Sequence, residues 1–413
     1  MPAPNRIYFA QIAHGTWQDW VEVINLGNRQ ADVTAIARDQ VGQAIWVGKS
    51  TLSPYQCWTI PVEGVADKEG DVSLKVISEQ PIVGERHCRL GTQVLDFPGA
   101  AFELSSIGTR FFFAEIASYI GDWIRFLNVG DSEALISVIA HDRETGRTVN
   151  QFQGTATPLG WWTITDAQIG KITGTLEVIS TQPIVGERHS HYSGGESAVG
   201  QLGQVADGVY PPPKRIYFAQ IAPGEWGDWI TTTNFSRQQA KLTAILRDQS
   251  GNVAWSDEKT LGPYQCWMPA VDKATTKDAS LQIESDQFVL GERHCHLGSQ
   301  VLSFPGAAHE LGTVGTRLFF PEIHSGAYDW FRFLNLGEAE ALINIMVRDR
   351  NGKILNQFQG RASPLGFWTV GDSAIESATG TLEVMSTQPI VGERHMHYQG
   401  WKTAISQLGQ VID

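Results

Sequence analysis

One heptad constrains this chain more than any other feature. Pro-Ile-Val-Gly-Glu-Arg-His stands at Pro81–His87, at Pro183–His189 and at Pro389–His395, and a close variant occupies Phe288–His294. Its arginines, Arg86, Arg188, Arg293 and Arg394, recur at a nearly constant interval. A near-invariant word at a steady period marks copies of one structural unit. The chain therefore divides into four, at 1–104, 105–210, 211–312 and 313–413, and any function is expected to be repeated with the units.

Each unit opens on an aromatic strand, Arg6–Ala10, Arg110–Ala114, Arg215–Ala219 or Arg317–Pro321. A polar loop leads to an Asp-Trp pair (Asp19-Trp20, Asp122-Trp123, Asp228-Trp229, Asp329-Trp330) and a second strand that closes at Asn25, Asn128, Asn234 or Asn335. Asn followed two residues later by a small residue is turn chemistry, because both tolerate unusual backbone angles. A third strand alternates polar and apolar residues, as in Asp32–Arg38, and ends at an Asp and a Gly that read as a hairpin. Pro54, Pro158, Pro263 and Pro364 then precede a strand carrying Trp58, Trp162, Trp267 and Trp368. A sixth strand (Ser73–Ile77 in the first unit) and the heptad follow. Seven short strands without helical periodicity predict an all-β protein: four tandem β-sandwiches of immunoglobulin-like size.

The units alternate in kind. The first and third share Tyr-Gln-Cys-Trp (Tyr55–Trp58, Tyr264–Trp267) and Phe-Pro-Gly-Ala-Ala (Phe97–Ala101, Phe304–Ala308). The second and fourth share Asn-Gln-Phe-Gln-Gly (Asn150–Gly154, Asn356–Gly360). The order is ABAB, a duplicated pair, with Pro211-Pro212-Pro213 as a stiff connection between the halves. The joins within each pair are short and apolar, which predicts tight packing.

Four cysteines fall at matched places in the A units, Cys57 with Cys88 and Cys266 with Cys295. The B units replace both positions together, by Trp161 with Ser190 and by Phe367 with Met396. Joint replacement implies contact and favours a disulfide in each A unit, closing a loop of about 30 residues and stabilising by roughly 3 kcal/mol. The alternative is a pair of buried thiols acting as small apolar residues.

A net charge of −13 without a basic block argues against nucleic acid and anionic membranes as partners. No apolar run approaches a membrane span, so membrane insertion is not expected. The opening residues, Met-Pro-Ala-Pro-Asn, lack the pattern of a leader peptide. The expected location is the cell surface or outside the cell with the leader removed; the alternative is the cytoplasm.

Side chains alternate along a strand, so Glu85 and His87 face one way and Arg86 the other. Three units extend this to Glu-x-His-x-His: Glu187, His189, His191; Glu292, His294, His296; Glu393, His395, His397. Carboxylate and imidazole are metal ligands. Against a metal site, Arg89 breaks the pattern in the first unit, and alternate residues lie ~7 Å apart on one strand. The competing reading is a buried network of Glu and Arg with the repeated Asp and Asn, fixing register and the contacts between units. A third gives Arg86, Arg188, Arg293 and Arg394 to an anion or a sugar hydroxyl. Of the 14 tryptophans, Trp17, Trp46, Trp226 and Trp255 occur only in A units. Beside Asp19 and Asp228 they suit stacking on a sugar face, or a contact between units. Nucleophile elbow, Walker loop, paired zinc cysteines and dinucleotide fingerprint are all missing, so no catalytic residues, no cofactor and no enzyme are expected.

The order aromatic strand, strand ending Asn-Leu-Gly, Gly hairpin, Pro-led strand, then Ser180-Thr181-Gln182-Pro183-Ile184-Val185-Gly186-Glu187-Arg188 resembles the sensory rhodopsin transducer family. It is equally similar to tandem domains of uncharacterised bacterial cell-surface proteins. The resemblance spans all four units through short, structural motifs. It implies a β-sandwich in each. Because transducers are small soluble proteins that assemble as tetramers, it also implies a pseudo-fourfold ring of the fused units; an extended array is the alternative. The cysteine pairs and the Glu-x-His-x-His face depart from that family and argue against a photoreceptor partner.

The expected function is a non-enzymatic, multivalent binding or structural module whose partner is a glycan, another surface ligand or a protein, with self-assembly also open. The rival is an intracellular adaptor like the transducers.

Overall fold

The computed structural model describes residues 3–117, 119–192, 195–207, 212–222, 224–275, 277–375, 378–398 and 402–413. The first unit has eight strands: β1 (Arg6–Ile12), β2 (Gln18–Asn25), β3 (Ala31–Arg38), β4 (Ala44–Leu52), β5 (Cys57–Ile60), β6 (Val72–Ser78), β7 (Ile82–Leu90) and β8 (Gln93–Pro98). An outer sheet runs β1-β6-β3-β4 and an inner sheet β5-β2-β7-β8, all antiparallel. Ile7, Phe9, Val33, Ala35, Leu74 and Val76 from the outer sheet meet Val21, Val23 and Ile82 from the inner one, forming the core of a sandwich. The third unit repeats this arrangement. In the second and fourth units the equivalents of β6 and β7 run on as one 19-residue strand, Gly174–Tyr192 and Gly380–Tyr398, joining the two sheets. There Thr181 and Thr387, β-branched residues suited to a strand, replace Glu79 and Asp286 of the A units.

The sequence reading anticipated seven strands, and β8 is the one it missed. A tight turn at Gly91 (φ +60°) and Thr92 folds β8 back on β7. This eighth strand organises the molecule. β8 and its counterparts Ser197–Leu202, Gln300–Pro305 and Thr403–Leu408 pack each against the next around one axis. The units form a closed ring with four of these strands at its hub.

The ring explains the heptad. From Ile82 to Cys88 every residue of β7 is buried, because the inner sheet is covered by its own outer sheet on one face and by the preceding unit on the other. One main-chain contact recurs at every seam between units. The main-chain amide at the start of the Trp-bearing strand donates to a carbonyl in the preceding unit's hairpin: Trp161 to Gln40, Cys266 to Arg143, Phe367 to Gln249 and Cys57 to Arg350. The last of these runs from the first unit to the fourth and closes the circle. The residues after the four prolines, Tyr55, Leu159, Tyr264 and Leu365, all have φ between 57° and 61°. They occupy the third position of a turn that favours glycine, yet each keeps a side chain that packs at a seam or beside it.

The disulfides expected between Cys57 and Cys88, and between Cys266 and Cys295, are not formed; all four thiols are free. Cys57 on β5 lies opposite Ile24, and Cys88 on β7 lies opposite Asp19, at the other end of the intervening β2. Five residues of strand separate them by about 17 Å, well beyond the reach of a disulfide. The paired replacement has another cause. Cys57 packs with Phe319 at the seam behind the first unit, while Cys88 packs with Ala198 at the seam in front. An A unit meets B units on both sides, so both positions change with the type of unit. Of the triproline, Pro211 lies outside the described residues. No helix among the described residues is long and apolar enough to cross a membrane.

Candidate binding clefts between units

The repeated Glu and Arg form a circuit of buried charges. Arg86 pairs with Asp19 of its own unit (2.7 Å) and with Glu187 of the next (3.4 Å). Arg188 does the same with Asp122 and Glu292, Arg293 with Asp228 and Glu393, and Arg394 with Asp329 and Glu85. The arginines are 0–1% exposed, and their neighbouring carboxylates sustain the charge against the burial that opposes it. Burial also raises Glu187 to about 7 although Arg86 lies beside it. The circuit is therefore better understood as fixing which face meets which than as a large source of stability. Arg86, Arg188, Arg293 and Arg394 are engaged in these buried pairs, and Asp19 and Asp228 are occupied by Arg86 and Arg293 and by the Ala13 and Ala222 amides. Asn25 stands outside the circuit: its amide donates to the Arg29 and Leu52 carbonyls and shapes a turn.

Two kinds of seam alternate, and one position separates them. After the first strand's Ala or Pro the four units carry Gln11, Glu115, Gln220 and Glu322. Where a B unit precedes an A unit, the Glu fills the seam. Glu322 accepts from Trp20 Nε1 (3.0 Å) and contacts His87 Nε2 (2.9 Å), with the imidazole stacked on the Trp20 ring at 5.0 Å. Burial alone would lower the His87 pKa, but Glu322 and Glu85 outweigh it and raise it to about 10. Glu115 meets Trp229, Thr231 and His294 in the same way.

Where an A unit precedes a B unit, Gln replaces Glu and the seam opens into a cleft. The cleft between the first and second units has a volume of about 140 Å³ and is lined by Gln11, Trp17, Cys88, Trp123, His189 and His191. Its counterpart between the third and fourth, about 290 Å³, is lined by Gln220, Trp226, Cys295, Trp330, His395 and His397. Burial, with Arg86 and Arg293 adding to it, holds His189 and His395 well below the usual imidazole range, so both are neutral. Trp123 and Trp330 stand edge-on to them at 4.6 and 4.7 Å. Trp17 and Trp226 close the other side against His191 and His397, at 6.1 and 5.9 Å. His191 Nδ1 lies 2.7 Å from Gln93 Oε1; with an amide oxygen as partner, Nδ1 carries the proton and Nε2 becomes an acceptor. Burial lowers His397 to about 3, and it makes the equivalent contact with Gln300. Four buried polar atoms in the twin clefts, Gln11 Oε1, Gln220 Oε1, His189 Nε2 and His395 Nε2, have no hydrogen-bond partner among the described residues.

Of the residues singled out in the sequence, Trp17, Trp226, His189, His191, His395 and His397 come together here. Trp46 and Trp255 do not. They sit on the outer-sheet edge strands and pack against their own cores, Trp46 lying over Gly48. The Glu-x-His-x-His triplets are split: His189 lies 4.0 Å from Glu187, but His191 is turned to Gln93 of the neighbouring unit. His294 bonds to Tyr192, and no three of Glu187, His189, His191, Glu292, His294, His296, Glu393, His395 and His397 converge. Among the described residues no group of three potential ligands is placed to hold a metal ion. Burial pushes the Cys88 and Cys295 thiols up, away from the thiolate a nucleophile requires. The sequence reading did not single out Trp123, Trp330, Gln11 or Gln220 as site residues. The Gln/Glu alternation was visible in the aligned first strands.

No protein-family model and no curated protein sequence matches the chain. Solved structures show distant likeness. Thermotoga maritima 1070 aligns with 23% of this chain and 92% of its own at 16% identity and a TM-score of 0.22. A glycoside hydrolase of family 32 from Bifidobacterium adolescentis aligns over 99% of this chain and 96% of its own, at 10% identity and a TM-score of 0.15. Likeness at this level carries no statement about activity.

Proposed function

We propose that this protein is a non-enzymatic, divalent binding ring whose twin A-to-B clefts each take a small hydroxyl-rich ligand, a carbohydrate by preference. The observation that carries this reading is the composition of the clefts. Each combines two tryptophans from different units with an imidazole nitrogen and an amide oxygen that accept hydrogen bonds. Aromatic faces and fixed acceptors suit the apolar face and the hydroxyls of a sugar ring. Free cysteines give no support to an oxidising compartment. The ring of four units also suits the second reading, an adaptor like the tetrameric transducers, in which the clefts would hold a signal molecule.

Titration calorimetry with a panel of free mono- and disaccharides tests the proposal. The expected stoichiometry is two per chain, falling to one in Trp17→Ala or Trp226→Ala and to none in the double variant. Absence of saccharide binding by the wild type, or unchanged binding by the double variant, overturns it.

A further inference from the structure

A second cavity lies on the ring axis and draws on all four units. It has a volume of about 130 Å³ and sits at the end of the hub where the four inner strands leave it. One residue from each unit, Pro98, Leu202, Pro305 and Leu408, forms a half-exposed apolar collar. Two residues back along each strand, where side chains point the same way, stand Asp96, Gly200, Ser303 and Ser406. Three of these are small or hydroxylated, and one is a carboxylate. Asp96 is 3% exposed and accepts the Ser406 amide, while its Oδ2 has no hydrogen-bond partner among the described residues. Gln204 and Gln410 line the same space. Each anchors its amide nitrogen on a glycine carbonyl, Gly291 (3.1 Å) and Gly84 (2.9 Å), so that its oxygen is fixed as an acceptor, and both oxygens lack partners among the described residues.

We infer that this axial socket binds the ammonium end of a small aliphatic amine, with Asp96 as its counter-ion and the four-residue collar around its hydrocarbon chain. Asp96 Oδ2 is a buried carboxylate oxygen with two fixed acceptor oxygens lining the same space; the Ser406 amide, His87 and Arg394 act on the carboxyl group, but none of them donates to this atom. The collar requires a donor to this atom to carry an apolar body. The volume sets its size, because a cavity of ~150 Å³ admits a molecule as large as benzene. The site is singular where the seam clefts are paired: equivalent positions hold no second carboxylate, so one amine binds per chain.

Asp96 is faced by Glu85 and His87 on β7 and by Arg394 of the fourth unit. Burial, with Glu85 adding to it, raises its pKa to about 8. Amine binding therefore requires loss of the Asp96 proton. Affinity should rise as pH increases through that value, until the ammonium itself deprotonates near ~10.4.

Calorimetry of the intact chain with n-butylammonium chloride, and with n-butanol as the neutral control, tests the inference. The expected result is one equivalent bound, proton release on binding, and at least tenfold weaker binding of butanol. Asp96→Asn should weaken butylammonium binding at least tenfold, as should Asp96→Ser, which copies Ser303 and Ser406 and so preserves the hub. The Trp17→Ala, Trp226→Ala double variant should bind as the wild type does. No saturable binding, equal binding of butanol, or full binding by either Asp96 variant overturns it.

Discussion

At the residue scale, the seam histidines show how one side chain changes the state of its neighbour. His87 and His189 occupy the same place in the repeat. His87 faces Glu322 and is protonated, whereas His189 shares its seam with Gln11 and is neutral. The folded pKa of His87, about 10, lies above its ordinary 6.5. Its contribution to stability is therefore complete below pH 6.5 and is lost as pH rises through 10. Glu322 is lowered from 4.5 to about 2, against its burial, chiefly by His87; its contribution is present above pH 4.5 and is lost as pH falls through 2. The closing seam should be strongest between those limits. A thermal melt series across pH should show the midpoint falling on the alkaline side, and Glu322→Gln should flatten that fall by making the seam resemble the Gln11 type. Arg188 offers a larger effect. Arg188→Met removes the cation that Asp122 and Glu292 share and should cost about 3–5 kcal/mol in denaturant unfolding. Adding Asp122→Leu and Glu292→Leu should recover part of it.

At the scale of elements, the hairpin between the third and fourth strands of each unit is the contact most sensitive to size. Gly146 has φ +68°, and a β-carbon there would lie 1.9 Å from the Pro263 carbonyl of the next unit. Gly146→Ala combines a left-handed backbone with a clash against main chain, and about 2–4 kcal/mol of destabilisation is expected from chemical denaturation. The same elements show what could be read from residues alone. Alternation and turn chemistry disclosed the outer sheet and the hairpins, because one face of that sheet meets water. The heptad was legible as a strand and its Glu and Arg as a network. Which unit each residue touched was not legible, since both faces of β7 are buried and a continuous apolar strand gives no sign of what covers it. The cysteines misled for this reason: two positions that change together were taken to touch, when each answers to a different neighbour. The clefts were half visible, through Trp17 and Trp226, while the axial Asp96 carried no signal until β8 placed it at the hub.

At the scale of the molecule, the ring predicts behaviour that a string of domains would not show. In solution scattering a compact chain of this length has a radius of gyration of about 22 Å, and a value well above that would indicate an open array. The two ends of an AB pair are complementary, since Arg188 and Glu115 at one end await the Glu292 and His294 whose equivalents in the first unit are Glu85 and His87. A fragment of residues 1–210 should therefore form a dimer, reproducing the ring from two copies, as light scattering on a sizing column would show. A stable monomer would mean that the linkers, rather than the seams, hold the ring together.

Three seams are bridged by the chain itself, and the one between the fourth and first units is not. There the repeat also departs from itself. Ala10, Ala114 and Ala219 donate their amides to the glutamate of the next unit, but the fourth unit has Pro321, which has no amide hydrogen to give. Glu85 instead takes His87 at 2.9 Å and Arg394 at 3.1 Å. Ala3 and Ile412 pack in the same apolar cluster at this seam, so the first and last described stretches of the chain are neighbours. A short bridge between these two stretches is therefore expected to leave the fold unchanged. A circular permutant beginning at Pro213, with a short Gly-Ser bridge from Asp413 to Ala3, should assemble the same circle of sandwiches. In it, the seam now sealed by side chains alone would be tethered, and the one between the second and third units would take its place as the point of opening.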